Sequence, residues 1–344
     1  MKILVTGGMG FIGSHIAEYH ASRGDRVVVL DNLSRGRLLP RAHGCSDLNR
    51  DYLLNLHHIS HVEADIRDRQ AVMEAAAGCD VIFHAAGQTA VTTSMRDPAE
   101  DFSVNVTGTF NILEAARLCG VGTVVYCSTN KVYGANVNKL GIREEPTRYA
   151  FCDSHADGIG EEFPIDRCEH TPYGCSKLTG DLYCQEYARC YGLRTAVFRM
   201  SCIYGTRQFG MEDQGWIAWL AYATLRGLPI TVYGDGKQVR DILYIADLVD
   251  AYDRFLHSDL EHGVFNLGGG KGFSVSVLEL LDILQGITGK RSPLTFREWR
   301  HSDQKVYISD ISGAASALGW HPRTSPAEGI ATLVDYLARN GSSR

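Results

Sequence analysis

Tyr173 and Lys177 stand four residues apart in the stretch Thr171-Pro172-Tyr173-Gly174-Cys175-Ser176-Lys177. Pro172 can occupy the first turn of a helix, and residues spaced by four then share one face. A phenol beside an ammonium can exchange a proton, because the cation favours the phenolate and draws a group that titrates near pH ~10 toward neutrality. Taken alone, the spacing also fits an ordinary helix-surface pair, the commoner case in a chain of 16 tyrosines. Other residues must supply the partners of such a reaction.

The N-terminal stretch supplies a candidate for the first partner. Lys2 to Thr6 reads as a buried strand; Gly7-Gly8-Met9-Gly10-Phe11-Ile12-Gly13 follows and leads into the helical pattern Ile12, Ile16, Tyr19, His20. Glycines between strand and helix let the backbone approach a pyrophosphate, which then lies on the helix N-terminus where amide N–H groups and the dipole favour anions. A second strand from Arg26 runs to Asp31-Asn32, 18 residues beyond Gly13, where a carboxylate would meet a ribose hydroxyl. Asp31 favours NAD over NADP by repelling a 2′-phosphate, while Arg35 and Arg37 are the residues that would favour NADP.

These residues need a scaffold, and the hydrophobic pattern predicts one. Strands are expected at 59–63, 80–84, 121–127 and 194–199, and helices at 69–77, 98–120 and 172–191. Asp65-Ile66 follows one strand. Ala85-Ala86-Gly87-Gln88 and Ser128-Thr129 lie at the carboxyl ends of two others, where open α/β sheets bind ligands. The helix at 98–120 carries Phe102, Val106, Phe110 and Leu113 at apolar positions, with Asn105 and Asn111 as ordinary core amides. Residues 135–170 read as a long loop of the lid or binding kind. The alternation predicts an α/β fold with a Rossmann-type doubly wound parallel sheet in residues 1–200. A smaller lobe in 201–344 is expected to bind substrate and to return some segments to the first. In that lobe Ile230 to Tyr233 and Val239-Arg240-Asp241 read as strands, with Arg240 able to clamp a diphosphate or simply to be solvated. Helices at 275–286, 311–318 and 327–338 read as structural, and Phe273, Trp299 and Trp320 as core.

Composition narrows the class. The 344 residues carry a net charge of −6, with no basic footprint for nucleic acid. No run approaches the ~18 apolar residues of a membrane span, so a cytoplasmic protein without membrane contact is expected. Ten cysteines without a Cys-x-x-Cys pair suit buried thiols, and His57, His58 and His61 match no metal-ligand spacing, so no metal is expected.

Taken together, Thr6-Gly7-Gly8-Met9-Gly10-Phe11-Ile12-Gly13, Asp31-Asn32, Asp65-Ile66, His84-Ala85-Ala86, Ser128-Thr129, Val132-Tyr133-Gly134, Pro172-Tyr173-Gly174, Ser176-Lys177 and Arg240-Asp241 resemble the extended short-chain dehydrogenase/reductase family. Its members are mostly nucleotide-sugar epimerases, dehydratases or reductases. The resemblance implies that Tyr173 is the base, that Lys177 binds the nicotinamide ribose and lowers the phenol pKa, and that Thr129 shares the substrate hydroxyl. It implies NAD held by Gly7, Gly10, Phe11, Ile12 and Gly13, then by Asp31, Asn32, Ser34 and Arg35. Asp65, Ile66, Ala85, Ala86, Gly87, Gln88 and Asn105 would complete that set. A nucleotide-diphosphate sugar would meet Gln88, Thr129, Asn130 and Lys131 on one side, and Ser201, Gln208, Tyr233, Arg240, Arg300 and Asp303 on the other.

Within the family, 4,6-dehydratases carry an acidic pair after the Thr, where this chain has Asn130 and Lys131, so elimination is not expected. The 4-epimerases usually have Asn in the stretch occupied here by Arg199 to Gly205. The runs Ala86 to Ser94, Ser128 to Gly134, Arg207-Gln208-Phe209, Asp213 to Trp216 and Gly236 to Asp241 resemble the CDP-paratose 2-epimerase (CDP-tyvelose 2-epimerase) group. That resemblance implies epimerisation at C2 through a 2-keto sugar. The alternatives are a UDP-glucose/UDP-galactose type 4-epimerase, a reductase releasing NADH, or a non-catalytic NAD-binding regulator. Related proteins commonly form a homodimer, or a dimer of dimers, through helices matching 98–120 and 172–191.

Overall fold

The computed structural model describes residues 1–34, 48–152, 155, 157–300 and 303–340. Arg35 and Arg37 lie outside the described residues.

From the N-terminus the chain forms β1 (Lys2–Thr6), α1 (Phe11–Ser22), β2 (Arg26–Asp31), α2 (Leu48–Leu54), β3 (Ile59–Glu63), α3 (Arg69–Ala76) and β4 (Val81–His84). It continues through α4 (Val91–Arg96), α5 (Pro98–Phe102), a π turn at Ser103–Thr107, α6 (Gly108–Cys119) and β5 (Thr123–Thr129). A 3₁₀ segment (Asn130–Lys139) leads to β6 (Ile142–Glu144), β7 (Tyr149–Phe151), α7 (Pro172–Tyr191), β8 (Arg194–Met200) and β9 (Cys202–Tyr204). The remainder comprises α8 (Trp216–Arg226), β10 (Ile230–Tyr233), β11 (Val239–Tyr244), α9 (Ile245–Leu256), β12 (His262–Leu267) and β13 (Ser274–Ser276). Then come α10 (Val277–Thr288), β14 (Leu294–Arg297), β15 (Val306–Tyr307), α11 (Ser312–Leu318) and α12 (Pro326–Asn340).

Seven strands make the central sheet in the order β12-β8-β5-β4-β1-β2-β3, each pair parallel. This is the expected doubly wound sheet, and His262–Leu267 extends it beside β8. Alternate residues of β1 feed different cores: Ile3 and Val5 pack with Ile16, Phe83, Phe198 and Trp320, whereas Leu4 packs with Ile82, Ile112 and Val124. A strand buried on both faces reads as a continuous apolar run, which is why Lys2–Thr6 was legible. The strand order reverses between β1 and β4, so a crevice opens at their carboxyl ends, where Thr6 and His84 are register partners.

The second lobe packs α8, α10 and α12 around β9, β10 and β11 through Ile217, Leu220, Ile230, Ile242, Leu280 and Leu333. Three expectations change. Helix 98–120 is interrupted by the π turn, and Phe102 and Phe110 face outward rather than into a core, with Phe102 59% exposed. The 135–170 segment is not a bare loop: β6 and β7 pair as an antiparallel hairpin, and Tyr149 and Phe151 pack with Val132, Tyr133, Val239 and Tyr307. It is docked on the second lobe, where Tyr149 N donates to Lys237 O at 2.9 Å and Arg148 pairs with Glu279. Trp320 is core, whereas Trp299 is 36% exposed and lies flat against Gly234, where any Cβ would sit 2.7 Å from the indole.

Candidate active site

Helix α7 begins where Pro172 permits it, with the Thr171 hydroxyl accepting from Gly174 N at 3.3 Å, and ends at Gly192 in the left-handed region. Tyr173, Lys177 and Asp181 follow one another at intervals of four residues and are all buried. They therefore form one stripe, turned toward β5. At the near end Thr129, the last residue of β5, stands beside the Tyr173 phenol and draws its pKa down. At the far end Ser128 Oγ donates to Asp181 at 2.8 Å. Two consecutive strand residues thus meet two turns of the helix.

Burial pushes the Tyr173 phenol up to about 12, and Thr129 acts against that rise. Burial also draws the Lys177 ammonium down to about 8, with its Nζ 4.2 Å from the centre of the Tyr126 ring. The lowered phenol expected from the Tyr-Lys spacing is therefore not what this structure shows. Removing water from both groups outweighs their proximity on the helix.

The crevice at β1 and β4 is shaped by missing side chains. A Cβ on Gly7 (φ +67°) would lie 2.7 Å from Ala86 Cα, and one on Gly13 would lie 2.3 Å from Gly7 O. Gly10 leaves α1 without a side-chain cap, and no acidic residue stands in its first turn, where Phe11 and Ile12 begin the helix. Those amides suit an anion. Asp31 accepts from Met9 N at 3.0 Å and Leu33 N at 2.8 Å, and burial raises its pKa. Asn32 donates to Asp65 at 2.8 Å and accepts from Ser34 N at 3.0 Å. Arg67 holds the Asp65 carboxyl at about 2. Ile66 is buried against Gly108. A Cβ-free cradle, an uncapped helix start and a carboxylate at the end of β2 fit a dinucleotide without a 2′-phosphate.

Asn105 sits in the π turn and does more than fill a core. Its Nδ2 donates to Ser176 Oγ at 3.1 Å and Gln88 O at 3.0 Å, while its Oδ1 accepts from Gln88 N at 2.9 Å. It links the loop of Ala85, Ala86, Gly87 and Gln88 to the Tyr173 helix. The Gln88 side chain is directed to Asp101 at 2.7 Å and to Ala90, within the same framework. His84 bridges Thr6 at 2.8 Å and Thr109 at 2.9 Å, and burial lowers its pKa to about 3, so it bridges as a neutral ring.

On the second-lobe side, Arg240 pairs with Asp303 at 2.6 Å, and Arg300 pairs with Asp213 at 2.8 Å while lying 4.0 Å over the Tyr233 ring. Lys131 Nζ lies 3.5 Å from Gln304 Oε1, and burial followed by Arg240 lowers its pKa. Asn130 is buried, with its Oδ1 taking the Thr129 hydroxyl at 3.3 Å. Ser201 donates to the Asp241 carboxylate at 2.5 Å, and Gln208 Nε2 to Ile203 O at 3.0 Å, so both are bonded within their own lobe.

Four residues had no role of their own in the sequence reading. Asp181 and Arg199 form a buried pair at 2.9 Å, and Arg199 also reaches the Tyr133 hydroxyl at 3.3 Å. Trp216 Nε1 donates to Cys202 Sγ at 3.3 Å. Asp213 holds Arg300. The signal available for Asp181 was its place four residues after Lys177; Arg199, Asp213 and Trp216 lay in runs quoted for the resemblance, but their partners lie in other segments.

A family model described as the NAD dependent epimerase/dehydratase family matches residues 3–268. The chain belongs to this family. CDP-paratose 2-epimerase of Salmonella typhi is 39% identical over 98% of this chain and 99% of its own length. UDP-glucose 4-epimerase of Mycolicibacterium smegmatis is 33% identical over 99% of this chain and 100% of its own. Among solved structures, UDP-glucose 4-epimerase of Thermotoga maritima with UDP-glucose aligns with a TM-score of 0.80 at 31% identity, covering 98% of this chain and 99% of that one. The Thermus thermophilus enzyme in complex with NAD aligns with a TM-score of 0.79 at 32% identity, covering 98% and 99%. The protein is an NAD-dependent nucleotide-sugar epimerase. No described helix is long and apolar enough to cross a membrane.

Proposed function

We propose that this epimerase inverts C2 of a CDP-linked sugar through a transient 2-keto sugar. The observation that carries the reading is the buried cluster of Thr129, Tyr173 and Lys177 where β5 meets α7, set in a chain 39% identical to CDP-paratose 2-epimerase along its full length. Gly7 to Gly13, Asp31 and Asn105 would hold NAD, with Lys177 toward the nicotinamide ribose. NAD, when bound, supplies the hydride acceptor and a positively charged ring.

Tyr173 takes the proton of the C2 hydroxyl as that carbon is oxidised, and Thr129 holds the same hydroxyl in place. The Lys177 ammonium favours the phenolate without cancelling the burial that raises the phenol in the free chain. The ketosugar turns while Arg240 and Arg300 retain the diphosphate; the opposite face of C2 would then take back the hydride held on the cofactor, and Tyr173 returns its proton to the C2 oxygen. A binding-only regulator would need none of the Thr129, Tyr173 and Lys177 arrangement. The stretch Arg199 to Gly205 lacks the Asn that 4-epimerases usually carry there, which weakens the C4 reading.

A substrate deuterated at C2 tests the chemistry. Turnover without added cofactor is expected to give product with the label still on C2, because the atom leaves and returns to one carbon. Replacement by a solvent proton would instead require enolisation and would remove this mechanism.

The outward Phe102, Phe110 and Tyr183 line an apolar depression between the π turn and α7. This face is assigned to a second copy of the chain, a homodimer joined through the helices that carry Asn105 and Tyr173.

A further inference from the structure

Residues 212–214 bridge the two sides of the cleft. Toward the second lobe, Asp213 Oδ1 accepts from Arg300 at 2.8 Å, Glu212 O accepts from the same guanidinium at 3.4 Å, and Glu212 Oε1 accepts from the Tyr233 hydroxyl at 3.4 Å. Toward the cofactor side, Thr92 donates to the other Asp213 oxygen at 3.5 Å and Gln214 bonds the Thr89 hydroxyl. Thr89 and Thr92 follow Ala85 and Ala86, the residues packed on Gly7. One short loop therefore ties the dinucleotide cradle to Arg300.

We propose that Asp213 is an internal stand-in for a phosphate of the substrate: its carboxylate occupies the anion position of Arg300 and must yield it when a nucleoside diphosphate binds. The inference rests on the nucleoside-diphosphate reading above. A guanidinium presents a planar fork that a carboxylate and a phosphate oxygen pair satisfy in the same way, so the two anions compete for it. Stacking on Tyr233 keeps the fork oriented whichever anion it holds. Asp213 and Arg300 are 48% and 31% exposed, so their bond is weak enough for a doubly charged ligand to displace. Displacement also frees the carboxylate that Thr92 holds, so diphosphate binding loosens the bridge across the cleft. Asp213 thus sets the affinity for the nucleotide part.

Titration of the NAD-loaded protein with CDP, and with GDP and UDP, tests this. Asp213→Asn is expected to tighten CDP about two- to fivefold, the range an exposed ion pair spans. Glu212→Gln removes the same charge one residue away, keeps an acceptor for Tyr233 and leaves the Asp213–Arg300 bond intact, so it should change the affinity by less than half as much. An Asp213→Asn protein that binds CDP no more tightly than the parent overturns the proposal, as does a Glu212→Gln protein that matches it. Failure of the parent and both variants to bind CDP, GDP or UDP overturns the nucleoside-diphosphate reading itself, and the stand-in role with it.

Discussion

Tyr173→Phe is expected to lower kcat by about 10²- to 10⁴-fold, the span that a positioned acid-base group contributes. The ring is buried and keeps its place, so the fold and NAD content should be unchanged. Only the hydroxyl is lost, and with it the atom that moves the proton. Turnover and NAD released on denaturation, measured on the same preparation, check both halves. Activity within a few fold of the parent would mean that another group carries the proton.

Asp181→Ala is expected to destabilise the protein by about 3–5 kcal/mol, because it leaves the Arg199 guanidinium buried without its carboxylate. Ser128 Oγ loses its acceptor in the same change. The midpoint of denaturant unfolding should fall accordingly. Replacing both ends together, Asp181→Leu with Arg199→Met, should recover most of the loss, since a buried pair exchanged for apolar groups of similar volume is often near neutral. A single variant as stable as the parent would show that this pair does not fasten the catalytic helix to β5 and β8.

What was legible in the sequence follows from the range of the interactions. Lys2–Thr6 could be read because both its faces are buried, and Thr171 to Lys177 because cap, proline and catalytic pair lie within two helical turns. The Gly7 to Gly13 cradle has the same local character, its glycines required by contacts with Ala86 and with one another. Features built across the chain were not legible. Arg199 meets Asp181 only because β8 passes beside α7, and Ser201 is taken by Asp241, a carboxylate 40 residues away. The π turn carries no compositional mark, so Asn105, placed near NAD only by resemblance, read from the pattern as a core amide. Phe102 and Phe110 followed a helical period whose apolar side faces outward. The raised Tyr173 phenol depends on burial, which spacing alone does not report.

The central claim is inversion at C2 by a protein that carries its own NAD. Proton NMR of the purified protein with CDP-, GDP- and UDP-linked hexoses and with CDP-paratose, in D2O and without added cofactor, follows it through the couplings of H1 and H2. Interconversion of gluco and manno configurations, or of CDP-paratose with its C2 epimer, is the expected result. Interconversion of gluco and galacto configurations, with C2 untouched, would contradict it and move the chemistry to C4.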